Sequence, residues 1–214
     1  MFILFALVFM RMTGAIFFNP VLGRSNFPNA AKGALILALS YLMYLNTDGV
    51  LLHEPANLME FGLMLVKELM VGFAIGYSME LCFAVIRFAS AVIDATMGLS
   101  MAQVYDPQYN SQMTITSGLY YAFLMMIFLA TDGHLRLLEL IYVSADVVPF
   151  GEVVIRTQLP ELMMQIFRSS IAMGLQFAFP IIAIELVTEA AVGILMRVIP
   201  QINVFAVNFQ LKII

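Results

Sequence analysis

Long apolar runs alternate with short groups of turn-forming residues along the chain, which is typical of an α-helical protein. The first break, at 19–29, holds two prolines and three asparagines and cannot continue a helix. The pattern predicts helices up to residue 18, after Asn29 as N-cap to 45, and over 56–102, 118–130, 134–147 and 161–198. We therefore predict an all-α fold built from helical hairpins with kinked and broken helices. The helices over 118–130 and 134–147, joined by a tight turn at 132–133, are expected to form one such hairpin.

Two of the predicted helices are longer than a membrane requires. The run after Pro55 meets no proline until Pro107, and its roughly 45 positions would span about 65 Å, twice the hydrocarbon core of a bilayer. This helix must bend, divide or extend beyond the membrane. The run over 161–198 contains Pro180, which is expected to kink it.

The composition identifies a membrane protein. Of the 214 residues, 62% are hydrophobic and 11% are charged, and the mean hydropathy is +0.95. Soluble domains are about 45–50% apolar and about 25% charged, so the excess apolar surface must lie in lipid or against other subunits. The net charge of −4 and the scattered Lys and Arg residues argue against a nucleic-acid partner.

Two helix faces combine small and charged residues. Small residues let helix backbones approach closely, and charged residues are costly in hydrocarbon, so these faces should meet protein or water. They are interpreted as subunit-packing faces, with two alternatives left open: ion pairs between the chain's own helices, or a transport pathway. The residues concerned are Gly72, Gly76, Glu80, Arg87 and Asp94 on the first helix and Glu185, Glu189, Gly193 and Arg197 on the second.

The segment 103–117 is polar and turn-prone, and Asp106 is its one charged residue. Irregular backbone at membrane depth is tolerated only where protein surrounds it or where it lines a water-filled cavity. A loop at the water surface is the more ordinary interpretation of such a composition. Both remain open at this point.

No residue pattern in the chain supports catalysis, a cofactor or a metal. The two histidines and the single cysteine, Cys82, are too scattered to form a ligand set. His53-Glu54-Pro55 imitates the start of a zinc-protease motif but lacks its second histidine. We predict no enzyme, no cofactor and no metal site, although intramembrane carboxylates keep a proton-coupled carrier as an alternative.

Four short motifs, in the same order, resemble the FliR family of flagellar biosynthetic proteins and its counterpart, the T-type subunit of virulence type III secretion. They are FMRMTGAIFFNPVLGR from Phe9, IDATMGLSMAQVYDPQ from Ile93, DGH from Asp132 and PQINVF from Pro200. The resemblance runs nearly the whole length of the chain. In these motifs the loop residues Pro20, Gly23, Arg24, Pro200, Gln201 and Asn203 match the family.

The resemblance implies a subunit of the type III export gate in the bacterial inner membrane, at the flagellar basal body. Its expected partners are the P-type and Q-type subunits (FliP and FliQ), the FlhB-type subunit, exported unfolded proteins and membrane lipid. Family members resemble a fusion of the two smaller subunits, which implies one unit over 1–214 with a P-like part over about 1–150 and a Q-like part over 151–214. Part of the assembly would project toward the periplasm, and both termini are expected to be incomplete.

The resemblance also implies a role for the polar segment. The corresponding loop in the family is thought to project into the export channel as a plug. The matching residues are Tyr105, Asp106, Pro107, Gln108, Tyr109, Asn110, Ser111, Gln112 and Met113. The function hypothesis is a gating subunit of a protein-export channel, and the alternative is a small-solute or proton-coupled carrier that uses the charged residues of the two helix faces.

Overall fold

The computed structural model describes residues 2–23, 28–47, 54–99, 103–106, 111–151 and 158–199. The elements in chain order are α1 (Phe2–Phe17), α2 (Asn29–Asn46), α3 (Leu58–Met97), β1 (Gln103–Asp106), β2 (Ser111–Thr114), α4 (Ile115–Ala130), α5 (Gly133–Val147) and α6 (Gln158–Val198). The prediction of an all-α membrane protein is confirmed, with one short β-hairpin added between α3 and α4.

Helix α3 is the axis on which α1, α4 and α6 pack. Along α1, Gly14 lies against Leu69 and Phe73, and Asn19 reaches Met79, so α1 and α3 run in the same direction. Helix α6 also runs parallel to α3, because Gly174 lies against Val85 and Ala178 packs further along, beside Ile93. Helix α1 thus packs along the first part of α3, and α6 packs along the part that follows.

Helix α4 runs back along α3 in the opposite direction. The Phe83 ring contacts Tyr121 and, two turns later on α4, Phe128. Tyr120 packs against the small apolar cluster of Ala89, Ile93 and Ala178. The hairpin β1–β2 therefore lies at the end of the bundle where α3 ends and α4 begins.

Two helices are long and apolar enough to cross a membrane on their own. They are α3 and the part of α6 from Pro160 to Val198, at 40 and 39 residues. At 1.5 Å per residue each is about 60 Å long, so both exceed the roughly 30 Å hydrocarbon core of a bilayer. Helix α3 continues unbroken over its whole length, as does α6 through Pro180. Of the alternatives for the first long helix, division is therefore wrong.

The turn between α4 and α5 corrects the predicted helical hairpin. The two helices change direction by 68° at Thr131 and Asp132, whereas an antiparallel hairpin would reverse the chain. Asp132 takes a left-handed conformation with φ of 56° and its backbone accepts hydrogen bonds from Leu135 and Arg136. By length and composition the pair is apolar enough to be either one broken span or a re-entrant loop.

Two helix starts also differ from the sequence predictions. Pro28, and not Asn29, is the N-cap of α2, and no side chain caps that helix. Helix α6 begins at Gln158, so Pro160 lies in its first turn and not in a connecting loop. Proline is tolerated there because the first amides of a helix have no intrahelical acceptor.

Most of the buried apolar side chains form one cluster around α1. Leu7, Val8, Ala15 and Ile16 of α1 are fully buried, and Ile141 of α5 joins them. A second, smaller cluster lies between α3 and α6 near the hairpin. Helix α6 contributes Ala178 to this second cluster and is otherwise mostly exposed.

Candidate functional site

The segment predicted as an irregular loop is an antiparallel β-hairpin. The register pairs Gln103 with Thr114, Val104 with Met113, Tyr105 with Gln112 and Asp106 with Ser111. The ladder satisfies backbone groups that an irregular loop would leave to water, which corrects the loop prediction in physical terms. The plug residues Pro107, Gln108, Tyr109 and Asn110 lie outside the described residues, and so do the side chains of Asp106 and Ser111.

The hairpin presents an uncharged polar face to its surroundings. Tyr105 is 59% exposed, and its cross-strand partner Gln112 and the neighbouring Gln103 are exposed too. Side chains of directly paired residues stand on the same face of a sheet, so these three form one surface. Met113 is partly buried on the other face, where its sulfur lies 3.2 Å from the position a Cβ atom on Gly118 would take.

Two helix ends hold the hairpin in place. Helix α3 ends at Met97, and Gly98 follows as its C-cap, with a left-handed φ of 76° and an amide that donates back to the Ala95 carbonyl. This conformation favours glycine, and an added Cβ atom there would meet no other atom. On the other side, Thr114 is both the last residue of β2 and the extended N-cap of α4. On this side no residue separates the ladder from the helix.

A buried carboxylate lies one turn before the end of α3. The Asp94 side chain is 1% exposed, and neither of its oxygens has a hydrogen-bond donor within the part of the chain that the structure describes. An ionised carboxylate buried without donors is unfavourable by several kcal/mol, roughly. Asp94 is therefore the predicted packing residue for which burial is most costly in the isolated chain.

The strongest polar arrangement of the chain is a buried ionic node that joins α1, α3 and the end of α5. Arg11 donates from Nε to Glu68 Oε2 at 2.7 Å, and both side chains are fully buried. Its two remaining nitrogens donate to the carbonyl oxygens of Ser144 and Val148, at 3.0 and 2.9 Å. Glu68 Oε1 accepts the Gly151 amide at 3.0 Å.

An aromatic ring covers one face of the Arg11 guanidinium in this node. The Arg11 guanidinium carbon lies 4.1 Å from the centre of the Phe150 ring, in a cation–π contact. Phe150 is itself buried. Because the node takes up the carbonyls at the end of α5 and the amide just after it, it fixes where the chain leaves α5 toward α6.

Gly72 and Gly76 do not form a surface for another subunit, which corrects their interpretation. They pack against α1 of the same chain, where a Cβ atom on Gly72 would collide with the Arg11 carbonyl oxygen and one on Gly76 would lie 2.8 Å from the Ala15 carbonyl oxygen. Glu80 and Arg87, on the same face further along, form an ion pair within α3. The pair formed by Glu80 and Arg87 lies within one helix, and the subunit-packing interpretation of these two residues stays a prediction.

The polar face of α6 remains largely uncovered by the chain itself. Glu185 is buried, whereas Glu189, Gly193 and Arg197 are exposed, and a Cβ atom on Gly193 would meet no atom within 4 Å. The subunit-packing interpretation stays a prediction for these residues.

The first family-motif loop forms a compact turn after α1. The Asn19 side-chain oxygen accepts the amides of Val21 and Leu22, and Gly23 lies so close to carbonyl oxygens of the α1 end that a side chain would collide with them. Lys32 of α2 donates to the Gly23 carbonyl at 3.0 Å. Pro20 is buried within this turn. Arg24 and, at the other end of the chain, Pro200, Gln201 and Asn203 lie outside the described residues.

Arg11 lies within the first family motif, but the sequence alone predicts no role for it or for Glu68. A signal was present, because a single Arg or Glu inside an apolar helix is costly unless it has a partner. The partner itself could not be identified, since the two residues are 57 positions apart and meet only through the packing of α1 on α3. Within the described residues no group of three or more His, Cys, Asp or Glu side chains is placed to hold a metal ion.

Comparison with known proteins places the chain among bacterial export components. It is 27% identical over 219 residues to the flagellar biosynthetic protein FliR of Bacillus subtilis, a match that covers 98% of this chain and 81% of the relative. FliR of Escherichia coli is 26% identical over 95% of this chain and 77% of its own length. The secretion system apparatus protein SsaT of Salmonella typhimurium is 23% identical over 85% of this chain and 71% of its own length.

These relatives confirm the resemblance drawn from the four motifs, and their names give no support to the carrier alternative. They are named for flagellar biosynthesis or for a secretion apparatus, and none of these names describes an enzyme. The family model described as bacterial export proteins, family 1, matches residues 2–214. This chain belongs to that family of bacterial export proteins.

Proposed function

We propose that this chain is a non-enzymatic core subunit of the type III protein-export gate, and that it serves the flagellar apparatus of the bacterial inner membrane. The observation that carries this proposal is the family match along residues 2–214, together with relatives named for flagellar biosynthesis. Two helices about 60 Å long with large exposed apolar surfaces suit a subunit that is covered by companions and extends beyond the bilayer.

The proposed companions are the P-type, Q-type and FlhB-type subunits, exported unfolded proteins and membrane lipid. We propose that residues up to about 150 form a P-like part and the remainder a Q-like part, and that part of the assembly projects toward the periplasm. Helices α1 and α5 share one apolar cluster, whereas α6 packs on α3 and is otherwise mostly exposed. This difference in packing supports a division near Gly151.

Within the gate we propose that the β-hairpin narrows the protein-conducting channel. Its exposed face carries amides and a phenol but no described charge, so it can meet the opposing wall through hydrogen bonds without binding ions as a ring of carboxylates does. A leak below one part in a thousand needs a closed state favoured by about 4 kcal/mol. A few hydrogen bonds of about 1 kcal/mol each supply that amount.

Deleting residues 107–112 tests the gating role. The deletion removes the hairpin turn and the first half of β2, so the ion conductance of the purified assembly in a planar bilayer should rise many-fold. As a matched control, an Asn-Gly turn replaces residues 107–110 and leaves all four strand pairs in place. That variant should leak much less than the deletion.

Assembly must be checked in the same preparations. The deletion variant should still co-purify with the P-type and Q-type subunits, because the hairpin contributes little to the main apolar cluster. A correctly assembled deletion variant with unchanged conductance would disprove gating by the hairpin. Failure of the wild-type chain to co-purify with those subunits would instead disprove its place in the gate.

A further inference from the structure

An apolar groove runs between α3 and α6 and is closed on one side by α4 and α5. It consists of two adjoining cavities of about 550 and 460 Å³, which share Cys82, Leu162 and Ile166 in their walls. The wall of the larger cavity is mostly apolar, whereas Gln165, Ser169 and Ser170 add polar groups to the wall of the smaller one. The chain therefore has a site of small-molecule size that is open to its surroundings.

A single positive charge lies at one end of this groove. Arg136, in the first turn of α5, is exposed and lines the larger cavity. It makes no ion pair with a carboxylate among the described residues, although Glu139 follows three positions later. Guanidinium groups match phosphate oxygens well, because several N–H donors are held in one plane.

The dimensions of the groove match half of a bilayer. Along α3 its walls extend from Ala74 to Ile86, about 18 Å at 1.5 Å per residue. The hydrocarbon of one leaflet is about 15 Å thick. An extended acyl chain from one leaflet therefore fits the groove along its length, with its polar end at Arg136.

We propose that this groove binds an anionic phospholipid, with an acyl chain between α3 and α6 and the headgroup phosphate on Arg136. Charge complementarity selects this occupant: an apolar helix of a partner subunit would fill the groove but leave the arginine without a counter-ion. Basic pockets between membrane helices commonly bind anionic headgroups. The bound lipid would brace α6, which packs on α3 and is otherwise mostly exposed.

The native cysteine provides a direct probe of this site. Cys82 is the one cysteine of the chain, and it is exposed to both cavities. The experiment uses the assembly with its partner subunits, stripped of lipid in a neutral detergent, and follows alkylation of Cys82 by a maleimide with mass spectrometry. Added phosphatidylglycerol should slow alkylation, whereas phosphatidylcholine with the same acyl chains and free glycerol phosphate should not.

Three variants connect the protection to the proposed contacts. Arg136→Gln should raise the phosphatidylglycerol concentration needed for protection roughly tenfold or more, since a charge-assisted contact is lost. Arg136→Lys should retain much of the protection. Leu140→Trp, at an exposed position of the groove wall, should slow alkylation without lipid. We expect native mass spectrometry to detect a bound phospholipid in the wild-type assembly and none in this variant.

Several results would overturn the proposal. Equal protection by phosphatidylcholine would remove the role of the charge, and protection by glycerol phosphate alone would identify a phosphate site without a lipid. Slow alkylation in the lipid-free wild-type assembly would mean that a partner subunit covers the groove. The readout is protection of Cys82 and not conductance, so the result for lipid binding is independent of the gating role of the hairpin.

Discussion

Arg11 and Glu68 show how much of this structure depends on two side chains. Each side chain forms hydrogen bonds to the other and to backbone groups at or just after the end of α5, so that α1, α3 and the end of α5 meet at one point. A buried pair of this kind is not a strong net source of stability, but removing one partner leaves the other charge buried alone.

Arg11→Ala should therefore lower the stability of the assembly by about 3 kcal/mol or more. The combined change Arg11→Met with Glu68→Leu should recover most of that loss, because no unpaired charge remains. Thermal unfolding of the purified assembly measures both. If the double variant is as unstable as the single one, the node stabilises the fold through its bonds to the backbone of Ser144, Val148 and Gly151 and not through charge pairing.

The sequence indicates each of these residues singly but not their pairing. A periodicity identifies which positions share a face of one helix, as it does for Gly72, Gly76 and Glu80. It does not define the register between two helices, and that register brings Arg11 to Glu68 and makes α1 the partner of the two glycines. For the same reason the subunit-packing interpretation was wrong for Gly72 and Gly76.

Gly72 is the position at which the contact between α1 and α3 most requires glycine. Gly72→Ala should cost about 2 kcal/mol, because the added Cβ atom collides with backbone and α1 must move away. Gly62→Ala is the matched control in the same helix, since a Cβ atom there meets nothing within 4 Å. The control should be neutral or slightly stabilising. Equal effects of the two changes on the unfolding temperature would contradict this packing.

At the end of α3 that precedes the hairpin, Gly98 terminates the helix in a left-handed conformation. Gly98→Ala should cost about 1 kcal/mol for backbone conformation alone, as no neighbouring atom obstructs the new side chain. Gly98→Asn should cost less, because Asn tolerates the left-handed region. Both are compared by thermal unfolding of the assembly. An alanine variant as stable as the wild type would mean that α3 does not need this termination.

The bounds of the helices follow the sequence closely because their signals are local. Prolines, asparagines and the Asp132-Gly133 pair end or begin helices within a few positions of the predicted sites. The hairpin was missed because each strand is only four residues long, too short for alternation to stand out from a polar loop. The turn residues Asp132 and Gly133 mark a change of direction after α4 but do not give its angle of 68°.

Taken as a whole, the molecule is incomplete by itself. Many large apolar side chains of α6 are exposed, among them Phe179 at 70% and Ile184 at 69%, and Glu189 and Arg197 lie on the same helix. Lipid can cover the apolar residues but not the charged ones, so part of this surface must meet protein or water. Family membership and the exposed polar hairpin lead to the same interpretation, a subunit in the wall of a channel.

Photo-crosslinking from the hairpin tests this interpretation most directly. A photoreactive residue at Tyr105, which is 59% exposed, is activated in cells while an exported protein is arrested in the gate. The control carries the same group at Leu58, which is 86% exposed at the opposite end of α3. We predict adducts with the partner subunits and with the arrested protein from position 105, and none with the arrested protein from position 58. Absence of the exported protein from the adducts at 105, or equal adducts from both positions, would contradict a hairpin placed in the export channel.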